Sequence, residues 1–273
     1  KVEDLISKES NLSKDQFNIA YCPERVIPGR TLFELVHNDR VIGGLTKKAS
    51  QMAKNFYSNF CKGEMHITNS KTAELVKLAE NSFRDTNIAF ANEISIICDK
   101  FSINPYELIS LANKHPRVNI LKPGCGVGGH CIAIDPWFII DSAPELAKLI
   151  TTARFINVKK TEWVVNKLIS EANVFEKTFS KRPTIGCLGL TFKPDIDDMR
   201  ESPAFEVVKQ LTTKNINILC CEPNIISHDF IKLDDIDTVI KSSDIIAILV
   251  AHKQFKNIRF GNKIIIDICG LNY

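Results

Sequence analysis

The sequence predicts an α/β protein in which a domain built on one long helix precedes a Rossmann-like domain with a parallel sheet. Between about residues 70 and 100, apolar residues recur at Leu75, Leu78, Ala79, Ile88, Ala89 and Ile96, at helical rather than strand spacing. Beyond Pro183 short apolar runs alternate with helical stretches, as in parallel strands joined by crossover helices. A stretch bearing Lys and Glu over residues 175–183 separates the two textures and reads as a linker.

Taken in order, residues 2–8 read as the tail of a helix and residues 17–21 as a strand. That strand runs into Cys22-Pro23-Glu24-Arg25-Val26-Ile27-Pro28-Gly29, a Pro/Gly-marked loop of the kind that carries site residues. A chain opening in this way suggests that something N-terminal has been lost. Residues 46–60 are helical in pattern, and residues 65–68 form a short strand. The helix over 70–100 far exceeds the usual dozen residues, so a spine or a subunit interface is expected of it. Further helices are expected over 105–113 and within 144–172. The last domain should contain strands over 184–190, 216–220, 245–250 and 263–268, with a helix over 203–214. The domain boundaries fall at 1–68, 69–174 and 183–273.

Composition excludes some functions. The 35 basic and 32 acidic residues are interspersed, with no basic tail or stripe, which removes the case for nucleic acid. No apolar run approaches the roughly 20 residues that span a bilayer, so no membrane partner is expected. The nine cysteines are odd in number and form no Cys-x-x-Cys pair. With no secretory leader at Lys1, they read as free thiols in a reducing cytoplasm.

Gly124-Cys125-Gly126-Val127-Gly128-Gly129 satisfies the dinucleotide pattern Gly-x-Gly-x-x-Gly, but its context is wrong. It comes after Lys122-Pro123 and a helical region instead of a strand, and no acidic residue ends a second strand about 20 residues later. It reads instead as a loop that lets backbone approach a ligand or packs under a reactive residue. Cys131 lies just beyond it and precedes a helix start at Asp135-Pro136, where helix amides favour a thiolate. The alternative is a small buried thiol. Cys125, His130 and Cys131 are wrongly spaced for a zinc knuckle, and no metal is expected.

Six separated segments resemble the UDP-sugar 6-dehydrogenase family. They are the Cys22–Gly29 loop, residues 74–85, which open with Glu74-Leu75-Val76-Lys77-Leu78-Ala79-Glu80-Asn81, then Asn87-Ile88-Ala89-Phe90-Ala91-Asn92-Glu93, His115-Pro116-Arg117-Val118-Asn119-Ile120, residues 123–138, and residues 189–203, which open with Gly189-Leu190-Thr191-Phe192-Lys193-Pro194. They stand in the family's order along nearly the whole chain.

The resemblance implies an NAD-binding domain, a helical middle domain that makes a homodimer through the long helix, and a C-terminal UDP-binding domain. It also implies NAD as cofactor and a UDP-sugar as substrate, with wording that favours UDP-N-acetylmannosamine over UDP-glucose. The N-terminal NAD-binding domain is expected to be absent, which would make the chain a fragment or one without activity. The implied chemistry oxidises the sugar C6 alcohol to a carboxylate in two hydride transfers, through a thioester on a cysteine. Cys131 matches the nucleophile, and Asp135 a carboxylate handling proton or water, with a helix cap as its other reading. Lys77 and Asn81 match groups that stabilise an oxyanion, or else form a solvated helix face. Glu24 matches an acid/base or water-orienting residue, or is an ordinary loop carboxylate. Arg25, Val26, Lys122, Gly128, Phe192 and Lys193 match substrate-binding positions, and Arg117 matches a residue reaching the partner subunit's ligand. A non-catalytic UDP-sugar-binding module is the rival reading. Relatives often carry a basic residue within the last strand's Asp-x-x-Gly, where this chain has Asp267-Ile268-Cys269-Gly270.

Overall fold

The computed structural model describes residues 1–26 and 29–271, so Ile27 and Pro28 of the Pro/Gly loop lie outside the described residues. The chain divides into two compact units, Lys1–Glu80 and Asn81–Tyr273.

In the first unit, the elements in chain order are α1 (Val2–Ser10), β1 (Ala20–Tyr21), α2 (Thr31–His37), β2 (Arg40–Gly44), α3 (Lys47–Tyr57) and β3 (Met65–Asn69). β2 and β3 run parallel from Arg40↔Met65 to Gly44↔Asn69, and α3 is the crossover between them. This is a βαβ unit. β1 adds to the other side of β2 in antiparallel sense. The turn from β2 into α3 is tight: Gly44 N–H donates to Ser50 Oγ at 2.9 Å. A Cβ on Gly44 would lie 2.5 Å from the Ser50 nitrogen, so only glycine lets the first turn of α3 fold back on the strand. Thr46 caps α3 by accepting from Ala49 N–H. The strand expected over 17–21 is reduced to two residues, and β2 and α2 have no counterpart in the sequence reading.

Helix α4 (Ser70–Lys100) has the expected span of 31 residues. In the second unit it is succeeded by α5 (Pro105–Ala112), α6 (Asp135–Ser142) and α7 (Lys148–Phe179). α5 begins where Asn104 accepts from the amides of Tyr106 and Glu107, with Pro105 at its first position. α7 extends past the expected helix and into the expected linker. The rings of Phe175 and Phe179, one turn apart, pack tilted with centroids at 4.5 Å, and the helix stops only at Ser180, in the left-handed region at φ 50°. The linker is therefore four residues, 180–183.

The last part of the chain contains β4 (Thr184–Leu188), α8 (Pro203–Thr213), β5 (Asn217–Cys221), α9 (Ile236–Ser242), β6 (Ile245–Ile248) and β7 (Ile264–Asp267). The four strands lie parallel in the order β5-β4-β6-β7. Strand alternation sends Ile185, Cys187, Ile245 and Ala247 to one face, packed with Val164 and Leu168 of α7 and Val207 and Leu211 of α8. Leu188, Ile246 and Ile248 take the other face, with Val239 of α9 and Phe255. Both faces of the central strands β4 and β6 are covered, so these two read as continuous apolar runs, whereas Ile264 and Ile265 of the edge strand β7 stay exposed. Each fully buried Ile or Leu contributes about 1.5–3 kcal/mol to the fold. These features are the Rossmann-like parallel sheet expected from the sequence. Among the described residues, no helix is long and apolar enough to cross a membrane.

Candidate functional site

Parallel sheets bind ligands outside the carboxyl ends of their strands, at the point where the strand order reverses. In this sheet the chain moves from β4 outward to β5, then returns to the other side of β4 to lay down β6, so the reversal lies between β4 and β6. A cavity of about 370 Å³ sits there. Its walls come from the loops after β4 (Thr191 to Pro194), β6 (Leu249 to Ala251, and Lys256) and β7 (Cys269 to Leu271), and from Lys122 to Gly126 of the glycine-rich segment. Lys122, Lys193 and Lys256 line it, and no carboxylate does among the described residues. Three ammonium groups in a concave, partly apolar site favour a polyanionic ligand such as a diphosphate. Phe192, Lys193 and Lys122 thus lie where a shared ligand can reach all three. Lys256 is absent from the sequence reading, because nothing in its local sequence marks it; the strand-end rule applied to β6 is the signal that finds it.

The glycine-rich segment does both things read from it, Gly124 and Gly126 lining the cavity and Gly128 and Gly129 packing under the Phe192 loop. It has no strand before it, and α6 starts only at Asp135. A Cβ on Gly128 would lie 2.3 Å from the Glu201 carbonyl oxygen and 2.9 Å from the Phe192 Cβ, and one on Gly129 would meet the Phe192 ring at 2.9 Å. Gly128 is therefore a seat for the Phe192 loop, with no place among the residues lining the cavity. Cys125, within that segment, is 4% exposed. Its sulfur hydrogen bonds to the Leu249 carbonyl, and its own carbonyl accepts from Thr161 Oγ1 at 2.8 Å. Burial pushes this thiol up to about 12, which makes it inert.

Cys131 is half-buried in the turn that opens α6, and its carbonyl accepts from the amides of Ile134 and Asp135 at 3.0 and 2.8 Å. Asp135 lies inside the first turn of α6 and does not cap the helix. Its Oδ2 accepts instead from Asn81 Nδ2 at 2.6 Å, and Asn81 is 4% exposed. Asn81 is therefore no solvated helix position. Lys77, one turn earlier on α4, is half-buried in the first unit.

Within the first unit, Glu24 turns onto its own loop, accepting from Arg25 N–H at 2.7 Å and Val26 N–H at 3.2 Å. Arg25 pairs with Glu80 at 2.8 Å. Arg117 is exposed on the turn after α5 and does not line the cavity of its own chain. In the segment after Lys193, Arg200 pairs with Asp198 at 2.6 Å. Asp39, Glu64 and His66 place ligand atoms within 4.8 Å of one another, but all three are exposed. Cys125, His130 and Cys131 form no such group among the described residues.

Three domain models of the UDP-glucose/GDP-mannose dehydrogenase family match in order: the NAD binding domain over 1–61, the central domain over 71–159 and the UDP binding domain over 186–271. A UDP-N-acetyl-D-mannosamine dehydrogenase of Campylobacter jejuni is 53% identical over 87% of this chain and 59% of its own length. An NDP-N-acetyl-D-galactosaminuronic acid dehydrogenase of Ralstonia nicotianae is 46% identical over 98% of the chain and 64% of its own length. The solved UDP-D-ManNAc dehydrogenase of Pyrococcus horikoshii superposes with a TM-score of 0.89 at 38% identity, covering 99% of this chain and 66% of that one. The chain spans about three fifths of the length of the curated relatives it matches.

The match over residues 1–61 overturns the expectation that the NAD-binding domain is absent. That expectation rested on a chain that opens with the tail of a helix and so carries no glycine fingerprint ahead of it. Such a fingerprint marks only one strand–helix junction of a dinucleotide-binding sheet, and the β2–α3–β3 unit is a βαβ repeat of the kind that carries none. Residues 1–80 include no glycine-rich phosphate loop, so no pyrophosphate contact is assigned to them. Fold, cavity and domain matches agree, and the chain belongs to the UDP-glucose/GDP-mannose dehydrogenase family.

Proposed function

We propose that the protein is an NAD-dependent UDP-sugar 6-dehydrogenase acting on UDP-N-acetyl-D-mannosamine through a thioester on Cys131. The observation that carries the substrate class is the cavity at the β4/β6 reversal, with its three lysines and no lining carboxylate among the described residues. The preference for N-acetylmannosamine rests on the relatives near 50% identity, several of which are named for that sugar. We further propose functional parts at 1–68, 69–174 and 183–273, the last holding UDP.

Lys122, Lys193 and Lys256 bind the diphosphate, and Phe192, seated on Gly128 and Gly129, gives the nucleotide an aromatic wall. NAD⁺, when bound, supplies the hydride acceptor. Cys131 attacks the C6 aldehyde as thiolate, the new C–S bond forming as the carbonyl oxygen takes the electron pair. Loss of a second hydride leaves the acyl on sulfur. Water then adds to the thioester carbonyl and the thiolate departs, giving the carboxylate. Asp135 accepts the proton of that water, with its second oxygen held by Asn81. Lys77 and Asn81 stabilise the oxyanion, Glu24 serves as an acid/base or water-orienting group, and Arg25 and Val26 contact the substrate.

The assembly we propose is a homodimer through α4. Phe83, Phe90 and Ile97 recur every seven residues along it and stay 68%, 50% and 44% exposed in the single chain. Arg117 then serves the partner's ligand. All nine cysteines are free thiols, which suits a reducing cytoplasm.

Cys131→Ser tests this reading against that of a binding module. On the full-length protein, calorimetry should show UDP-sugar binding unchanged while NADH formation is lost. Unaltered NADH formation in the variant would reject Cys131 as nucleophile.

A further inference from the structure

Behind the cavity wall lies a polar network that the reaction chemistry does not use. Glu222, just past β5, is 4% exposed, and His252, after β6, is fully buried. Glu222 Oε2 accepts from the amides of Leu190 and Thr191 at 2.7 and 3.2 Å and meets His252 Nε2 at 3.0 Å. Its Oε1 accepts from Asn224 N–H at 3.0 Å. On the far side of the ring, Asp195 N–H donates to His252 Nδ1 at 2.9 Å, and Asn224 Nδ2 lies 3.0 Å from the same atom. Because a backbone N–H points at Nδ1, Nδ1 is the acceptor and Nε2 carries the proton that goes to Glu222.

The network therefore fastens the β4 loop at both ends: Leu190 and Thr191 to Glu222, and Asp195 to His252. Between those anchors stand Phe192 and Lys193, which line the cavity. Asp195 has φ 61°, in the left-handed region, and that conformation aims its amide at His252 Nδ1. Its carboxylate is held as well, accepting from Lys253 N–H at 2.9 Å.

We propose that Glu222 and His252 are positioning residues that pre-organise the Phe192–Lys193 loop for the UDP diphosphate, with the Asp195 N–H to His252 Nδ1 bond as the fastening that sets affinity. Neither residue lines the cavity, so they act through the loop. The proposal rests on reading that cavity as the UDP site.

Two substitutions divide the ring's functions. In His252→Asn the amide oxygen can stand in for Nδ1 and keep the Asp195 bond. In His252→Gln the amide NH₂ can stand in for Nε2–H and keep the Glu222 bond, while the Asp195 acceptor is lost. Calorimetric titration of the full-length protein with UDP should give His252→Asn within about threefold of the unmodified protein and His252→Gln about tenfold weaker. Amide hydrogen exchange should be accelerated at Asp195 in His252→Gln alone. Equal affinities in the two variants, or unchanged Asp195 exchange in His252→Gln, would overturn the proposal, since a purely space-filling ring would treat the variants alike. Should neither variant fold, the unmodified protein still decides: the amides of Leu190, Thr191 and Asp195 must exchange slowly before UDP is added, and rapid exchange there rejects pre-organisation. An unmodified protein that does not bind UDP rejects the cavity reading, and the fastening then stands or falls on the exchange data alone.

Discussion

Asn81 Nδ2 donates to Asp135 Oδ2 at 2.6 Å, tying the second unit's first residue, on α4, to the opening turn of α6. The bond orients a carboxylate four residues beyond the proposed nucleophile, and it defines a sharp test. Asn81→Asp would place two carboxylates on one hydrogen bond. They would share a proton, so one folded-state pKa rises above its unfolded value. The variant should be destabilised by about 1–3 kcal/mol at pH 7 and should recover as pH falls through that raised pKa. Thermal unfolding between pH 7 and 4.5 reads this. A loss of stability independent of pH would show that the two side chains are not in contact.

Gly128 and Gly124 make a contrasting pair. A Cβ at Gly128 strikes the Glu201 carbonyl and Pro203, whereas one at Gly124 meets nothing within 4 Å. Gly128→Ala should cost roughly 1–3 kcal/mol as overpacking and weaken UDP binding by displacing Phe192. Gly124→Ala should leave stability nearly unchanged. Denaturant unfolding and UDP titration on the two variants check the difference.

Asp85, fully buried, accepts from Arg154 Nη1 at 2.5 Å and from Asn157 Nδ2 at 2.8 Å, fastening α4 to α7. Burial pushes its carboxyl up despite the guanidinium beside it. Arg154→Met leaves that carboxylate without its counter-charge and should destabilise by about 3–5 kcal/mol, whereas Arg154→Met with Asp85→Leu should recover much of the loss. Urea unfolding of the single and double variants tests this.

Lys160 is 2% exposed, with its ammonium on Ser95 Oγ at 2.7 Å and over the Trp163 ring at 3.9 Å. Burial lowers its pKa from 10.5 to about 8. The unfolded chain binds this proton more tightly than the folded one, so the residue detracts from stability below pH 8. The penalty lifts as pH rises from 8 to 10.5, by at most about 3 kcal/mol. Lys160→Met should remove that rise from the pH–stability curve, which urea unfolding at a series of pH values would show.

The apolar stripe on α4 predicts the assembly. Phe90→Lys, at a position already 50% exposed in the single chain, should leave folding intact and shift the full-length protein from dimer to monomer in light scattering. A dimer that persists at micromolar concentration would place the interface elsewhere.

Long-range periodicity makes much of this fold legible. α4 is readable because 31 residues of helical spacing outweigh local noise, and the central parallel strands β4 and β6 because burial on both faces leaves them almost wholly apolar. β2 is hidden because Arg40-Val41-Ile42-Gly43-Gly44 ends in two glycines, a turn signal that here serves close packing of α3. The end of α7 is obscured because Lys and Glu near Phe175 look like linker composition, whereas the Phe175–Phe179 contact sustains the helix. In the candidate site, Lys193 and Phe192 can be named from their own segment. Glu222 and His252 cannot, because they stand 30 residues apart and meet only when β5 and β6 flank β4.

The most direct test of the account counts NADH, by absorbance, formed by the full-length protein from limiting UDP-N-acetyl-D-mannosamine with excess NAD⁺. Four-electron oxidation through Cys131 predicts two NADH for each sugar consumed, and a uronate product. One NADH per sugar would mean a reaction that stops at the aldehyde, and none would contradict dehydrogenase activity on this sugar altogether.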